Sequence, residues 1–116
     1  MYGRRLFPKP DPCLLVLSSL AGGAKHGYAL MKDVEDFSGV TIGPGTVFGC
    51  LARLEDRGLV EALEPEDRRH PYRLTAAGAT ALEAQVSELE RVTSTGSTRR
   101  EATRRRLSEG PAGAPA

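Results

Sequence analysis

The stretch GPGTVFGCLARLEDRGLV, residues 43–60, reads as a short helix that carries its own start and stop. Gly43 is tolerable as an N-cap, and Pro44 suits the first turn, where its missing N–H costs nothing. Val47, Cys50, Leu51 and Leu54 recur at i, i+3, i+4 and i+7, one apolar stripe that faces inward. Gly58 stands where a helix commonly ends in a C′ glycine. The opposite face is bare. Gly45, Gly49 and Ala52 cluster there by the helical step of about 100° per residue, with Arg53 on the same side. Glycine inside a helix costs about 1 kcal/mol relative to alanine, so Gly49 calls for a close neighbour. Spacing alone leaves two candidates: a DNA groove, which small residues let a helix approach closely, or another protein element.

Upstream, Asp11 and Pro12 open a helix that runs to about Ala21 and stops at Gly22-Gly23. Cys13, Leu14, Leu15, Val16, Leu17 and Leu20 make it apolar almost all round, the pattern of a helix buried on more than one side. In a chain of 116 residues a partner subunit is a candidate for the second side. A second helix fits from about His26 to Phe37, with Leu30, Val34 and Phe37 at helical spacing and Met31 beside them. Ser38-Gly39 ends it.

Downstream, Leu59–Glu64 and Pro71–Thr75 alternate weakly around the charged loop EPEDRRH, residues 64–70, and predict a two-stranded hairpin. Thr75 caps a fourth helix that runs to about Val92. Its Ala79, Leu82, Val86 and Leu89 step by 3, 4 and 3, a narrow helix–helix seam. Ser94–Thr98 reads as a break. RREATRRRLSE, residues 99–109, reads as a short separate helix with Glu101 four residues before Arg105, and GPAGAPA, residues 110–116, as disordered. The expected organisation is thus a flexible basic arm over 1–10, a DNA-binding domain over 11–75, a dimerisation helix over 76–93 and a basic, largely disordered tail over 94–116.

The net charge is +1, but the arm and the tail each carry +3 and the stretch between them −5. Such a chain is not a blanket polycation, and it meets nucleic acid through local patches. With 40% hydrophobic residues and no Trp, the core is mostly aliphatic. Cys13 and Cys50 sit in apolar settings without metal-ligand spacing. They read as buried free thiols of a reducing compartment, with a thiol switch as the sharper alternative. The apolar run Cys13–Leu17 is far too short to span a bilayer, and no signal peptide precedes it, so a cytoplasmic protein is expected. His26 and His70 lack an acid–base partner at a recognisable spacing, and no phosphate-binding glycine motif of an enzyme is present. Neither an enzyme nor a cofactor is expected.

Three helices followed by a hairpin make the winged form of the helix-turn-helix: mainly α with a small β-hairpin, closed by a C-terminal dimerisation helix. In that geometry the third helix enters the major groove and the hairpin loop lies along the backbone. The residues themselves carry a closer likeness. LLVLSSLAGGAKHGYALM, GPGTVFGCLARLEDRGLV and RRHPYRLTAAGATAL, in this order and spacing, resemble the PadR family of transcriptional regulators from about Cys13 to Leu89. The resemblance implies a homodimeric winged-helix repressor whose C-terminal helix docks on the partner subunit near its first helix. It also implies a small aromatic or drug-like effector near the dimer interface. Leu14, Leu15, Leu17, Leu82, Val86 and Leu89 are the expected dimer contacts, and the over-apolar first helix and the narrow seam fit that independently. The family usually has Tyr where Phe48 stands and Pro where Gly49 stands.

The expected DNA contacts follow from the same geometry. Pro44, Gly45 and Thr46 open the third helix, where first-turn amides can hold a phosphate. Phe48 is read either as a thymine-methyl contact or as packing at the edge of the core. Gly49 and Arg53 complete the reading face, Arg53 reaching a phosphate or a guanine edge. Lys25 and His26 precede the second helix, where a phosphate approaches. Tyr28 is read as core with its hydroxyl outward and within reach of a phosphate. Arg68, Arg69 and His70 form the wing tip, blunted by Glu64, Glu66 and Asp67. Arg73 stands in a strand where a salt bridge competes. Arg4, Arg5 and Lys9 of the arm lie along the backbone or in the minor groove. An aromatic ligand would need Tyr28, Phe37, Phe48 or Tyr72, or an aliphatic pocket. The alternative is a winged-helix module for a small molecule or a protein partner that has lost specific DNA binding.

Overall fold

Asp11 caps the first helix, α1 (Pro12–Ala21), by accepting a hydrogen bond from the Cys13 N–H at 2.7 Å, and Pro12 fills the first helical position. The computed structural model describes residues 5–110 of the chain. Arg4 and residues 111–116 of the expected tail lie outside the described residues.

The sequence's punctuation sets the next elements. A two-residue strand, β1 (Lys25–His26), leads into α2 (Gly27–Ser38), which ends at Gly39. The third helix, α3 (Pro44–Asp56), follows Gly43. Its end needs a left-handed residue, and Gly58 supplies it with φ +74°, a conformation that glycine adopts without steric cost. Then come β2 (Val60–Ala62), β3 (Pro71–Leu74) and one long helix, α4 (Ala76–Ser108). The strands form an antiparallel sheet in the order β1-β3-β2, with Lys25 opposite Tyr72 and Val60 opposite Leu74. Four helices and this small sheet are the winged helix-turn-helix expected from the element order, with one correction. The sheet has three strands, because β1 adds itself to the hairpin.

The core gathers Leu15, Val16, Leu17 and Leu20 of α1, Leu30 and Val34 of α2, Ile42, the stripe Val47, Cys50, Leu51 and Leu54 of α3, and Val60. Each such side chain contributes about 1.5–3 kcal/mol by leaving water. Three consecutive residues of α1, from Leu15 to Leu17, are buried because α2, α3 and β3 all pack on that helix. The apolar circumference of α1 is thus covered largely by its own chain.

The fourth helix corrects a second expectation. No break occurs at Ser94–Thr98; the helix runs unbroken through TSTGST and on to Ser108. Thr93 and Thr95 donate their hydroxyls to the carbonyls of Leu89 and Arg91, at 2.9 and 3.2 Å. Their polar groups therefore bond within the helix instead of competing with it. The chain divides into two compact units, residues 1–83 and 84–116, rather than at the start of the last helix. Leu82 packs against the core, so the first turns of α4 belong to the first unit. Thr75 fixes that start. Its hydroxyl donates to the Gly58 carbonyl at 2.7 Å and accepts from the Gly78 N–H at 3.0 Å.

Candidate nucleic-acid interface

The pairing of β1 with β3 puts His26 opposite Pro71, at the base of the wing. The next residue opens α2, and His26 is the N-cap: its Nδ1 accepts from the Ala29 N–H at 3.3 Å. The other ring nitrogen, Nε2, lies 3.3 Å from the Arg69 guanidinium of the wing. A neutral imidazole has one bare and one protonated nitrogen. Bonding Ala29 requires Nδ1 to be bare, so Nε2 carries the hydrogen and meets a second donor. Two neighbouring donors make a poor contact with each other, and an anionic oxygen beside them could accept from both.

The wing tip is built to hold its arginine outward. Glu66 and Arg69 exchange backbone hydrogen bonds, 2.6 Å from the Glu66 N–H and 2.8 Å from the Arg69 N–H, and close a two-residue turn. Asp67 and Arg68 occupy its centre with φ of 49° and 69°, as a turn of the I′ kind requires. Both positions favour Gly or Asn, and here a full arginine side chain stands exposed. Arg69 and His70 are exposed as well.

Phe48 lies between these elements. It projects from α3 over Gly27, where a Cβ would come within 2.5 Å of its ring. Its ring meets Tyr28 edge-on, with centroids 5.9 Å apart. Tyr28 is 57% exposed and so stands on the surface rather than in the core. Tyr28, Phe48 and Tyr72 line a cavity of about 190 Å³ whose other walls are His26, Gly27, Arg68, Arg69 and His70. The start of α2, the middle of α3 and the wing thus converge. The sequence reading missed Gly27 as a wall, although H-G-Y places a residue without a side chain between two polar ones. It named Tyr72 only as a possible ligand contact.

At the start of α3, Pro44, Gly45 and Thr46 are exposed, and no side chain caps the helix. First-turn amides in that situation are free donors beside the positive end of the helix dipole. Gly45 has nothing within 4 Å of a built Cβ, and the nearest atom to one on Gly49 is the Arg53 guanidinium at 3.7 Å. Among the described residues, no protein element fills the bare face at Gly45.

Two expected contacts turn elsewhere. The Lys25 ammonium donates to the Ser19 and Gly23 carbonyls at 2.6 and 3.0 Å and lies 3.9 Å from the Asp33 carboxylate, which also accepts from the Ser19 hydroxyl. Two hydrogen bonds and this longer ion pair tie the ammonium to the end of α1 and to α2, so a phosphate at Lys25 would compete with those partners. Arg53 is exposed, and its guanidinium reaches across to α1. Its guanidinium lies 3.6 Å from the sulfurs of both Cys13 and Cys50. Arg73 pairs with Glu61 across the strands at 2.6 Å. Arg5 and Lys9 are exposed.

The expected dimer contacts also separate. Leu15 and Leu17 are 5% and 7% exposed in the chain's own core, while Leu14 is half-buried. Leu82 packs on the core, Val86 is half-buried, and Leu89 is 41% exposed. No helix among the described residues is long and apolar enough to cross a membrane.

A family model described as "Transcriptional regulator PadR-like family" matches residues 16–84. An uncharacterized 37.1 kDa protein of transposon TN4556 from Streptomyces fradiae is 44% identical over 82 residues, 71% of this chain and 24% of its own length. The transcriptional regulator YqjI of Escherichia coli (strain K12) is 29% identical over 91 residues, 77% of this chain and 44% of its own. The chain thus spans between a quarter and under half of the curated relatives it matches. Among solved structures, a PadR family transcription regulator from Clostridium difficile R20291 superimposes with a TM-score of 0.67 at 24% identity, covering 75% of this chain and 95% of that one. These relatives are transcription regulators, not enzymes, wherever they are described.

Proposed function

The chain belongs to the PadR-like family of transcriptional regulators, and from that premise we propose that it is a homodimeric, ligand-responsive repressor of the cytoplasm. In this reading α3 enters the major groove of double-stranded DNA and the 64–71 wing lies on the backbone. The observation that carries it is the convergence of the start of α2, the middle of α3 and the exposed wing, where His26 Nε2 and the Arg69 guanidinium stand 3.3 Å apart. A backbone phosphate placed beside them would accept from both. The uncapped amides of Gly45 and Thr46 and the exposed Arg68 and His70 supply further phosphate contacts, and the basic residues Arg4 and Arg5 of the arm add to them. The open face at Gly45 and the half-exposed ring of Phe48 leave room for base edges. The seam Val86–Leu89 supports the dimer. A small aromatic or drug-like effector near that interface would act by changing how the two wings are spaced.

The commitment of Lys25 and the contact of the Arg53 guanidinium with two sulfurs favour the alternative, a module for a ligand or protein partner without specific DNA binding. Titration of a labelled duplex from the upstream region against a scrambled duplex, over a salt series, separates the two. The proposal expects preference for the first duplex and a steep salt slope. His26→Asn keeps a capping side chain but loses the Nε2 donor. It should weaken binding about three- to tenfold with the salt slope unchanged, whereas Arg69→Ala should also flatten the slope by about one unit. Equal, weak binding to both duplexes, indifferent to these substitutions, selects the alternative.

A further inference from the structure

We propose that Cys13 and Cys50 are a redox pair: a hydroperoxide closes them to an intramolecular disulfide, and Arg53 is the residue that positions the two sulfurs. The two cysteines are 37 positions apart in sequence, on different helices, yet one guanidinium nitrogen lies 3.6 Å from each sulfur. Both thiols are free. They differ in access. Cys13 is half-buried in the first turn of α1, whereas Cys50 is fully buried in α3. Burial, and then a hydrogen bond with Cys13, push the Cys50 thiol up to about 12. Cys50 is therefore protected from direct oxidation, and Cys13 is the sulfur that meets the oxidant. No carboxylate forms a salt bridge with Arg53 among the described residues, and the two sulfurs are the side-chain acceptors its guanidinium meets, with the Asp11 charge acting from further off.

The chemistry balances in two steps. The Cys13 sulfur attacks one oxygen of the hydroperoxide and the O–O bond breaks. With hydrogen peroxide, Cys13 becomes a sulfenic acid and one water leaves. The Cys50 sulfur then attacks the Cys13 sulfur, the S–O bond breaks, and the departing hydroxide takes the Cys50 proton as a second water. Two thiols lose two hydrogens and two electrons, and the peroxide is reduced. Arg53 meets the negative charge that develops on sulfur and oxygen in both steps. A disulfide is a poorer acceptor than the thiol pair, so closure frees the already exposed guanidinium for a DNA contact. That last consequence rests on the DNA-reading proposal; the disulfide does not.

The test treats the reduced full chain with hydrogen peroxide and follows intact mass and a non-reducing peptide map. The expected result is a loss of about 2 Da, the two hydrogens given up as the S–S bond forms, in a monomer-sized chain. The map should contain one peptide linking Cys13 to Cys50, and dithiothreitol should reverse the change. Cys13→Ser, at a half-buried site where the fold is retained, should abolish the loss. Arg53→Gln, with unchanged circular dichroism, should close at least threefold more slowly. Cys13 advancing to sulfinic acid while Cys50 stays a thiol, or cross-links between chains alone, overturns the pair. Closure at the unaltered rate in Arg53→Gln overturns the role of Arg53. Duplex affinity of the reduced and oxidised chains is read in parallel, and a change that dithiothreitol reverses supports the link to α3. A chain that closes its disulfide yet binds no DNA in either state supports the pair and counts against the DNA-reading proposal.

Discussion

Arg68 holds a left-handed conformation that an L side chain adopts at a cost of about 1 kcal/mol. Nothing in its backbone role needs the guanidinium; a glycine would serve the turn better. Arg68→Gly should therefore raise the urea midpoint of the isolated chain, worth about 1 kcal/mol, while lowering duplex affinity. Opposite signs in the two measurements would separate a side chain kept for binding from one kept for folding. The turn was not legible in sequence, because Asp67-Arg68 lacks the glycine or asparagine that signals a two-residue hairpin turn. Lys25 was illegible for a different reason: its main partners are the backbone carbonyls of Ser19 and Gly23, which no side-chain pattern encodes. Cys50 makes the remaining prediction at this scale. Its thiol loses a proton near 9.0 in an unfolded chain but only near 12 in the fold, chiefly because it is buried. Between those values the unfolded state binds fewer protons, so stability falls as pH rises. Denaturation on either side of pH 9.0 should show this loss, and Cys50→Ala should lose less.

At the scale of elements, the breakers did most of the work. Asp11-Pro12, Gly39, Gly43-Pro44 and Gly58 bound three helices, and each acts through local backbone chemistry that a sequence exposes directly. β1 escaped because two residues have no periodicity; only pairing with β3 makes them a strand. The continuity of α4 escaped because threonines that break a helix when they bond outside it can also bond within it. The T-x-x-G at residues 75–78 is now explained by contact. A Cβ on Gly78 would be driven into the Leu59 carbonyl oxygen. Since that carbonyl also accepts from the Thr75 N–H at 3.1 Å, neither partner can withdraw freely. Gly78→Ala should destabilise the fold by about 1–3 kcal/mol despite its better helix propensity, read as a lower thermal midpoint. A stabilised variant would show that the start of α4 can slide.

At the scale of the whole molecule, the first unit contains a full core and the interface residues, whereas residues 84–108 form helix without a buried side chain. A helix so exposed gains its stability from a partner more readily than from propensity. Leu89→Glu should therefore convert the proposed dimer to a monomer in light scattering while leaving the thermal transition of residues 1–83 nearly intact. An unchanged mass would place the dimer contact elsewhere. The aromatic cavity has an optical consequence. With no Trp in the chain, near-ultraviolet emission comes from three tyrosines, and two of them, Tyr28 and Tyr72, line the cavity between α2, α3 and the wing. Whatever occupies that cleft changes the polarity and quenching around most of the molecule's fluorophores. The protein thus carries its own reporter, and occupancy of the interface is readable as unlabelled tyrosine emission.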